Sequence, residues 1–349
     1  SDLSSGTLPM ARLSGTLPAL NGSALTGVAG RKNLIINGGM NVWQRATTFT
    51  GNQAGFKGAD RWKCTYQDAG AIKQERVDYT SSTGDIYNSM KLTCTTSGSY
   101  GNSVRFQYNL ETADVVGLRG KTVTASAYVK QLHSDSNFHN FGFQYSNSAT
   151  DYAAFGSWTA SSAGAYTSSL TVNSFVRISR TYTVPNDARS LCFFFDCQSD
   201  TGNTNAMIEI ANIQLEVGST ATDFEYRSYG EELALCQRYY ERFVADASQE
   251  TLVCNGLSYT TTRSLAHVFY LVEKRVKPTF SLNSSSDFQA LTGSSGGWQT
   301  ATGVSAVVGL RSARLDVTGL SGLTASGACE IRLQTAANGA HWFAFDAEL

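Results

Sequence analysis

Residues 206–243, AMIEIANIQLEVGSTATDFEYRSYGEELALCQRYYERF, change physical character three times, and this constrains the whole chain. Met207, Ile208, Ile210, Ile213, Leu215 and Val217 form an apolar, partly alternating run that predicts a mostly buried strand ending at Gly218-Ser219. Ser228 and Glu231 then have the spacing of a capping box, in which each residue's side chain bonds the other's backbone N–H. A helix is expected from 228 to 243 or 245. Glu231 and Glu232 fall in its first turn, and Arg238 and Arg242 in its last, as the helix dipole favours. Leu233, Cys236, Tyr240 and Phe243 share one face. The stretch therefore closes one domain and opens another.

The residues on either side read as β-structure. Charged residues are only 16% of the 349, glycine numbers 32 and aromatics reach 11%, a mixture that suits short strands joined by many turns. Before the junction, strands are expected at 34–36, 62–67, 90–94, 104–108, 122–130, 141–145, 175–184, 191–196 and 207–217. That number of strands, with almost no helical periodicity, predicts an antiparallel two-sheet jelly roll. After the junction, strands are expected at 265–272, 279–282, 304–310, 314–317, 328–333 and 341–349. They form a second, smaller β-domain whose sparse apolar content per strand implies burial against neighbouring chains. Residues 1–30 carry a nine-residue repeat: Ser5-Gly6-Thr7-Leu8-Pro9 recurs as Ser14-Gly15-Thr16-Leu17-Pro18. So short a leucine-spaced segment buries its side chains only if several chains come together.

Three segments carry a resemblance. The junction itself, residues 33–45 (NLIINGGMNVWQR) with Ala59-Asp60-Arg61-Trp62, and residues 17–28 (LPALNGSALTGV) together resemble bacteriophage tail-fibre and receptor-binding proteins. Residues 274–280 (KRVKPTF) and 342–349 (WFAFDAEL) match more weakly. The resemblance implies four segments: a fibre shaft at 1–32, a carbohydrate-binding-module-like sandwich at 33–227, a connecting helix at 228–245 and a tip domain at 246–349. It also implies a homotrimer held to other tail or baseplate proteins through the shaft. The function implied is attachment to a bacterial surface polysaccharide or lipopolysaccharide, and the location a virion tail fibre. The absence of an initial Met fits the C-terminal part of a longer polypeptide.

Motifs for chemistry are sparse. The four histidines fall in no HxxxH or HExxH spacing, GxxxxGK[ST] does not occur, and the GxSxG string at 293–297 (GSSGG) reads as a loose loop rather than a strand-to-helix elbow, so no catalytic residue is assigned and the chain is expected not to be an enzyme. Asp60, Asp196, Glu209 and Glu216 are the acids from which a glycosidase pair would be drawn, since such a pair needs no sequence signature. A glycan-depolymerising tailspike and a purely structural tail adaptor therefore stand as alternatives. Seven cysteines without CxxC spacing argue against zinc and read as buried, reduced thiols. No cofactor is expected. The structural calcium that carbohydrate-binding sandwiches often carry has no DxDxDG loop here, and no ligands are assigned to it. Lys plus Arg is 27 against 28 Asp plus Glu with no basic run, which offers nucleic acid no phosphate footprint, and no apolar run is long enough for membrane insertion.

Aromatic residues among amides are the better signal, because a sugar presents one apolar face and a rim of hydroxyls. In residues 141–166 (FGFQYSNSATDYAAFGSWTASSAGAY), Tyr145, Tyr152, Trp158 and Tyr166 with Asp151 are the candidate carbohydrate contacts. Trp298, after a glycine-rich loop, is a further one. Trp43 and Trp62 are expected in the core. Whether the sandwich or the tip carries the receptor site is left open.

Overall fold

The computed structural model describes residues 31–348 apart from 53, 68–70, 80–85, 97–101, 134–135, 149–150, 152–157, 165–169, 200–203, 205, 247–250, 293–296 and 336–339. The shaft repeat thus lies outside the described residues. The chain is mainly β. Its first part comprises β1 (Thr48–Gly51), β2 (Lys63–Gln67), β3 (Ile72–Asp78), β4 (Asn88–Cys94), β5 (Asn102–Leu110), α1 (Thr112–Leu118), β6 (Thr122–Gln131), β7 (Ser136–Ser146), β8 (Ala160–Gly164), β9 (Phe175–Thr183), β10 (Ser190–Ser199) and β11 (Ala206–Val217). They form two antiparallel sheets, one ordered β1-β3-β4-β11-β6-β9 and the other β2-β5-β10-β7-β8. Only the β3–β4 and β7–β8 connections stay within a sheet. Every other connection crosses the sandwich.

Period-2 patterning builds the core. Val104, Phe106 and Tyr108 of β5, Phe141 and Phe143 of β7, and Phe193 and Phe195 of β10 point inward to meet Val123, Val129, Ile210 and Leu215 of the opposite sheet. Trp62 stacks on Phe106 at 4.5 Å between ring centres. Trp43 and Trp62 are buried, as expected. None of the seven cysteines is in a disulfide; six are buried and Cys254 is half-buried. Cys197 belongs to the core and Cys192 to the opposite face of β10, which the odd spacing requires.

Residues 34–36 are not a strand. They join the entry turn at 37–40, where the Leu34 N–H bonds the Leu215 carbonyl and the Ile213 N–H bonds the Gly38 carbonyl. A Cβ placed on Gly38 would sit 2.0 Å from the Ile213 oxygen. Backbone cannot withdraw as a flexible side chain can, so Gly38→Ala is expected to lower stability by about 1–3 kcal/mol, read by denaturant unfolding.

The junction helix is shorter than its periodicity suggests. α2 spans Tyr229–Gln237, and residues 240–244 are instead β12 (Tyr240–Val244). Phe243 stacks on Phe343 at 4.6 Å, and this tertiary pairing overrides the helical pattern. Half of the capping box forms. Ser228 Oγ accepts from the Glu231 N–H at 3.4 Å, while the Glu231 carboxylate pairs with Arg31. Glu232 is buried and accepts from the Asn37 N–H at 2.5 Å, so the helix start is bolted to the sandwich entry turn.

The second part adds β13 (Thr251–Thr260), β14 (Arg263–Phe269), β15 (Thr279–Leu282), β16 (Phe288–Thr292), β17 (Gln299–Thr300), β18 (Gly303–Val308), β19 (Ser312–Thr318), β20 (Ala328–Leu333) and β21 (Trp342–Asp346). A three-stranded sheet, β12-β21-β15, and a seven-stranded one, β17-β16-β20-β13-β14-β19-β18, enclose Phe288, Leu315, Val317, Ile331, Leu333, Phe343 and Phe345. This part therefore has a core of its own, which the sparse apolar content had not suggested. The outer face of its larger sheet is different: Leu252, Leu257, Tyr259, Phe269 and Val307 are exposed there, Phe269 at 74%. No described helix is long and apolar enough to cross a membrane.

The two parts meet through charged pairs whose arginines are largely buried. Arg61, at a left-handed φ of 72°, donates to Glu348 at 2.6 Å and to the Asn109 carbonyl at 3.1 Å, with the Tyr239 ring 3.5 Å from its guanidinium. Arg45 bonds Asp346 at 3.0 Å and lies 3.7 Å from the Tyr240 ring centre. Arg275 reaches back to Asp151 at 2.8 Å.

Candidate functional site

Alternation that sends Phe106 and Phe195 inward sends Arg105, Gln107, Asn109, Cys192, Phe194 and Asp196 to the outer face of the five-stranded sheet. Cross-strand register lines them up in rows. Lys63, Gln107, Phe194 and Gly142 form one row, Thr65, Arg105, Asp196 and Asn140 the next, and Asn109, Cys192 and Gln144 a third. A polar outer face is ordinarily solvated. Here Gln107, Asn109, Cys192 and Phe194 are buried, Gln107 completely, so that part of the face is covered, while Arg105, Asp196 and Gln144 stay partly exposed.

Its polar groups orient one another. Arg105 grips Asp196 through Nε at 2.7 Å and Nη2 at 2.8 Å, and its Nη1 donates to Gln144 Oε1 at 2.7 Å. The guanidinium lies 4.0 Å from the centre of the Phe194 ring. Gln107 Nε2 donates to Asn109 Oδ1 at 3.1 Å. Among the described residues, Asn109 Nδ2 and Thr65 Oγ1 are buried without a hydrogen-bond partner, which is costly unless a water or ligand hydroxyl completes them. Burial lowers the Lys63 ammonium pKa below its ordinary value and pushes the Cys192 thiol up to about 12, so the thiol remains protonated and unreactive. Planar amides, a carboxylate–guanidinium fork and an aromatic ring beneath it make a surface suited to recognising hydroxyls.

Four of the six residues expected to touch sugar are described, and their settings differ. Tyr145 lies on the inner face of β7 and packs against the sandwich core, because its position pairs with Leu191; that corrects its reading as a stacking platform. Asp151 is committed elsewhere. Its carboxylate accepts from the Thr112 N–H at 2.7 Å and pairs with Arg275, which makes it a tie between the two parts rather than a sugar ligand. Trp158 is half-buried just ahead of β8. Trp298 is half-buried in the second part, one ring face covered by the Arg332 guanidinium at 3.8 Å. Tyr152 and Tyr166 lie outside the described residues.

Each of the four acids considered for glycoside cleavage has structural partners. Asp196 holds Arg105, and Glu216 accepts from the Thr222 N–H at 2.8 Å and its hydroxyl at 2.7 Å. Glu209 pairs with Lys130 at 2.8 Å. Asp60 accepts from Gln44, and burial raises its carboxyl to about 7 against the pull of Arg45. A value near 7 suits a general acid, but Asp60 is wholly buried at the junction of the two parts. Among the described residues no group of three or more His, Cys, Asp or Glu side chains converges to hold a metal.

No family model and no curated protein matches the chain. Among solved structures, the enzymatically active domain of bacteriophage CBA120 tailspike protein 4 is similar at 14% identity and a TM-score of 0.35, over 53% of this chain and 21% of that one. A carbohydrate-binding module of the β-sandwich superfamily aligns at 12% identity and a TM-score of 0.32, over 47% of this chain and 62% of that one. The tandem CBM22 domain of Paenibacillus barcinonensis Xyn10C aligns at 14% identity and a TM-score of 0.29, over 91% and 98%. The chain thus spans about a fifth of the tailspike domain. Likenesses this distant carry no argument about the site, which rests on its own geometry.

Proposed function

We propose that the chain is a non-enzymatic phage tail-fibre protein that attaches the virion to a bacterial surface polysaccharide or lipopolysaccharide through the outer face of the five-stranded sheet. The observation that supports this most is the polar cluster on that face, where Arg105, Asp196 and Gln144, each partly exposed, are already oriented by mutual bonds. Pre-oriented groups lose little freedom on meeting hydroxyls, so weak contacts suffice. The phage assignment comes from the resemblance of the shaft repeat, sandwich entry and junction. Assembly as a homotrimer in the host cytoplasm, with the shaft joined to other tail or baseplate proteins, multiplies those contacts by avidity. The apolar outer face of the seven-stranded sheet suits burial against neighbouring copies.

Two measurements test the reading. Light scattering on the soluble chain is expected to give three times the chain mass, and Phe269→Asp to shift the population toward monomer; a wild-type monomer contradicts the assembly. Soluble protein is expected to stain host cells and block infection without releasing new reducing ends from purified capsule or lipopolysaccharide. Appearance of reducing ends would make the chain a depolymerising tailspike, and failure to stain or block would leave a structural adaptor.

A further inference from the structure

A recess lies on the opposite side of the sandwich, on the outer face of the six-stranded sheet. Tyr79 where β3 runs out, Ile86 before β4, Tyr128 and Lys130 of β6, and Asn173, Ser174 and Phe175 at the entry to β9 enclose about 540 Å³. This is within the range of small-ligand sites. The register explains the floor. Lys91, Glu209, Lys130 and Phe175 form one row across β4, β11, β6 and β9, and Tyr79 reaches over them from beyond β3.

The floor is closed on itself. Glu209, 4% exposed, accepts from Lys130 at 2.8 Å, from Ser89 Oγ at 2.8 Å and from the Tyr79 hydroxyl, and that hydroxyl accepts from Lys130 at 2.8 Å. The Lys130 ammonium also lies 4.7 Å from the Phe175 ring centre and 5.3 Å from that of Tyr79. Tyr79 and Phe175 meet edge-on, 6.1 Å apart. These bonds fix the rings and neutralise the charge beneath them. The rim is the reverse: the side chains of Asn173, at a left-handed φ of 62°, and Ser174 are exposed and make no hydrogen bond among the described residues.

Each feature narrows the ligand. An anion finds Lys130 already paired with Glu209, and a cation finds the ring faces already occupied by the ammonium. An uncharged ring with an apolar face and peripheral hydroxyls is what rigid aromatic walls under a free amide and hydroxyl accommodate. We infer that this recess is a second binding site, separate from the five-stranded face, that takes an uncharged pyranose residue. The inference rests on the glycan-binding reading for its ligand class alone; the location comes from the recess.

The test is aromatic 13C NMR on the full chain, with the Tyr79 signal identified by its absence in Tyr79→Phe. Methyl glycosides of glucose, galactose, rhamnose and N-acetylglucosamine are titrated in turn, with glucuronic and N-acetylneuraminic acids as charged comparisons. At least one uncharged glycoside is expected to shift the Tyr79 signal saturably. The shift should persist in Arg105→Ala, weaken at least fivefold in Phe175→Ala and return in Phe175→Trp. A Tyr79 signal unmoved by every uncharged glycoside, or moved only by the acids, overturns the inference. If host polysaccharide still binds the chain while Tyr79 stays unmoved, the second site fails and the attachment reading stands; if neither binds, both fail.

Discussion

Lys274→Met is expected to cost about 3–5 kcal/mol of stability, the scale for breaking one side of a buried ion pair. Lys274 is 1% exposed, and its ammonium donates to Glu241 and to the Gln237 carbonyl, both at about 2.5–2.6 Å. Glu241, equally buried, also accepts from the Leu271 N–H at 3.3 Å. The pair therefore ties α2's last carbonyl and β12 to the turn after β14. Methionine preserves much of the side-chain volume, so the loss measures the stranded Glu241 carboxylate rather than a cavity. The double variant Lys274→Met/Glu241→Leu should recover most of it, because an apolar pair in the same space avoids both desolvation penalties. Denaturant unfolding of wild type, both singles and the double gives the coupling directly. A double variant no better than Lys274→Met alone would show that the pair is not the source.

Glu348→Ala is expected to have a comparable effect, localised at the seam between the parts. Its carboxylate is the charge partner of Arg61, whose guanidinium is otherwise enclosed by the Tyr108 and Tyr239 rings at 5.0 and 3.5 Å and by the Asn109 carbonyl. Glu348 also lies 3.6 Å from Arg45. Removing it leaves both cations buried with less compensation, at about 3–5 kcal/mol of coupling between the parts. Calorimetry should then resolve two unfolding transitions where the wild type shows one. A single unshifted transition would contradict the seam's importance.

Asp60 adds a pH signature to the same seam. Burial raises its carboxyl from 3.8 to about 7, so the folded chain holds a proton that the unfolded chain has released. That stabilisation is complete below about pH 3.8 and is lost as pH rises through about 7, with a slope of at most ~1.4 kcal/mol per pH unit from this one proton. Asp60→Asn should flatten the slope over that window.

Much of the architecture was legible because strands with one buried face advertise themselves. β5, β9, β11, β15 and β20 fall where alternation or apolar runs place them. β3, with sequence IKQERVD, and β13, with TLVCNGLSYT, escaped because polar residues and a bulge dilute the period. α1 has only seven residues, too few for a helical period to show. The helix expected to run to 243 failed where Tyr240 and Phe243 fit a strand as well as a helix and β21 decided between them.

The proposed attachment face was legible in principle, though not from the loop aromatics. Its polar cluster is built from the alternate residues of VRFQYNL and LCFFFDC, whose apolar members identify the strands. What no single stretch discloses is that these polar faces are partly covered, since this depends on five strands lying side by side. Tyr145 misled for the complementary reason: its amide-rich neighbours suggested a surface loop, and cross-strand pairing with Leu191 turned it inward.

The attachment surface can be tested by probing an array of bacterial polysaccharides and lipopolysaccharides with the wild type, Arg105→Ala and Gln144→Ala, each first shown to be folded by its unfolding midpoint. Wild type is predicted to bind a restricted set of glycans, with Arg105→Ala reducing binding at least tenfold and Gln144→Ala several-fold. Binding by both variants at wild-type strength would contradict the assignment of the five-stranded face.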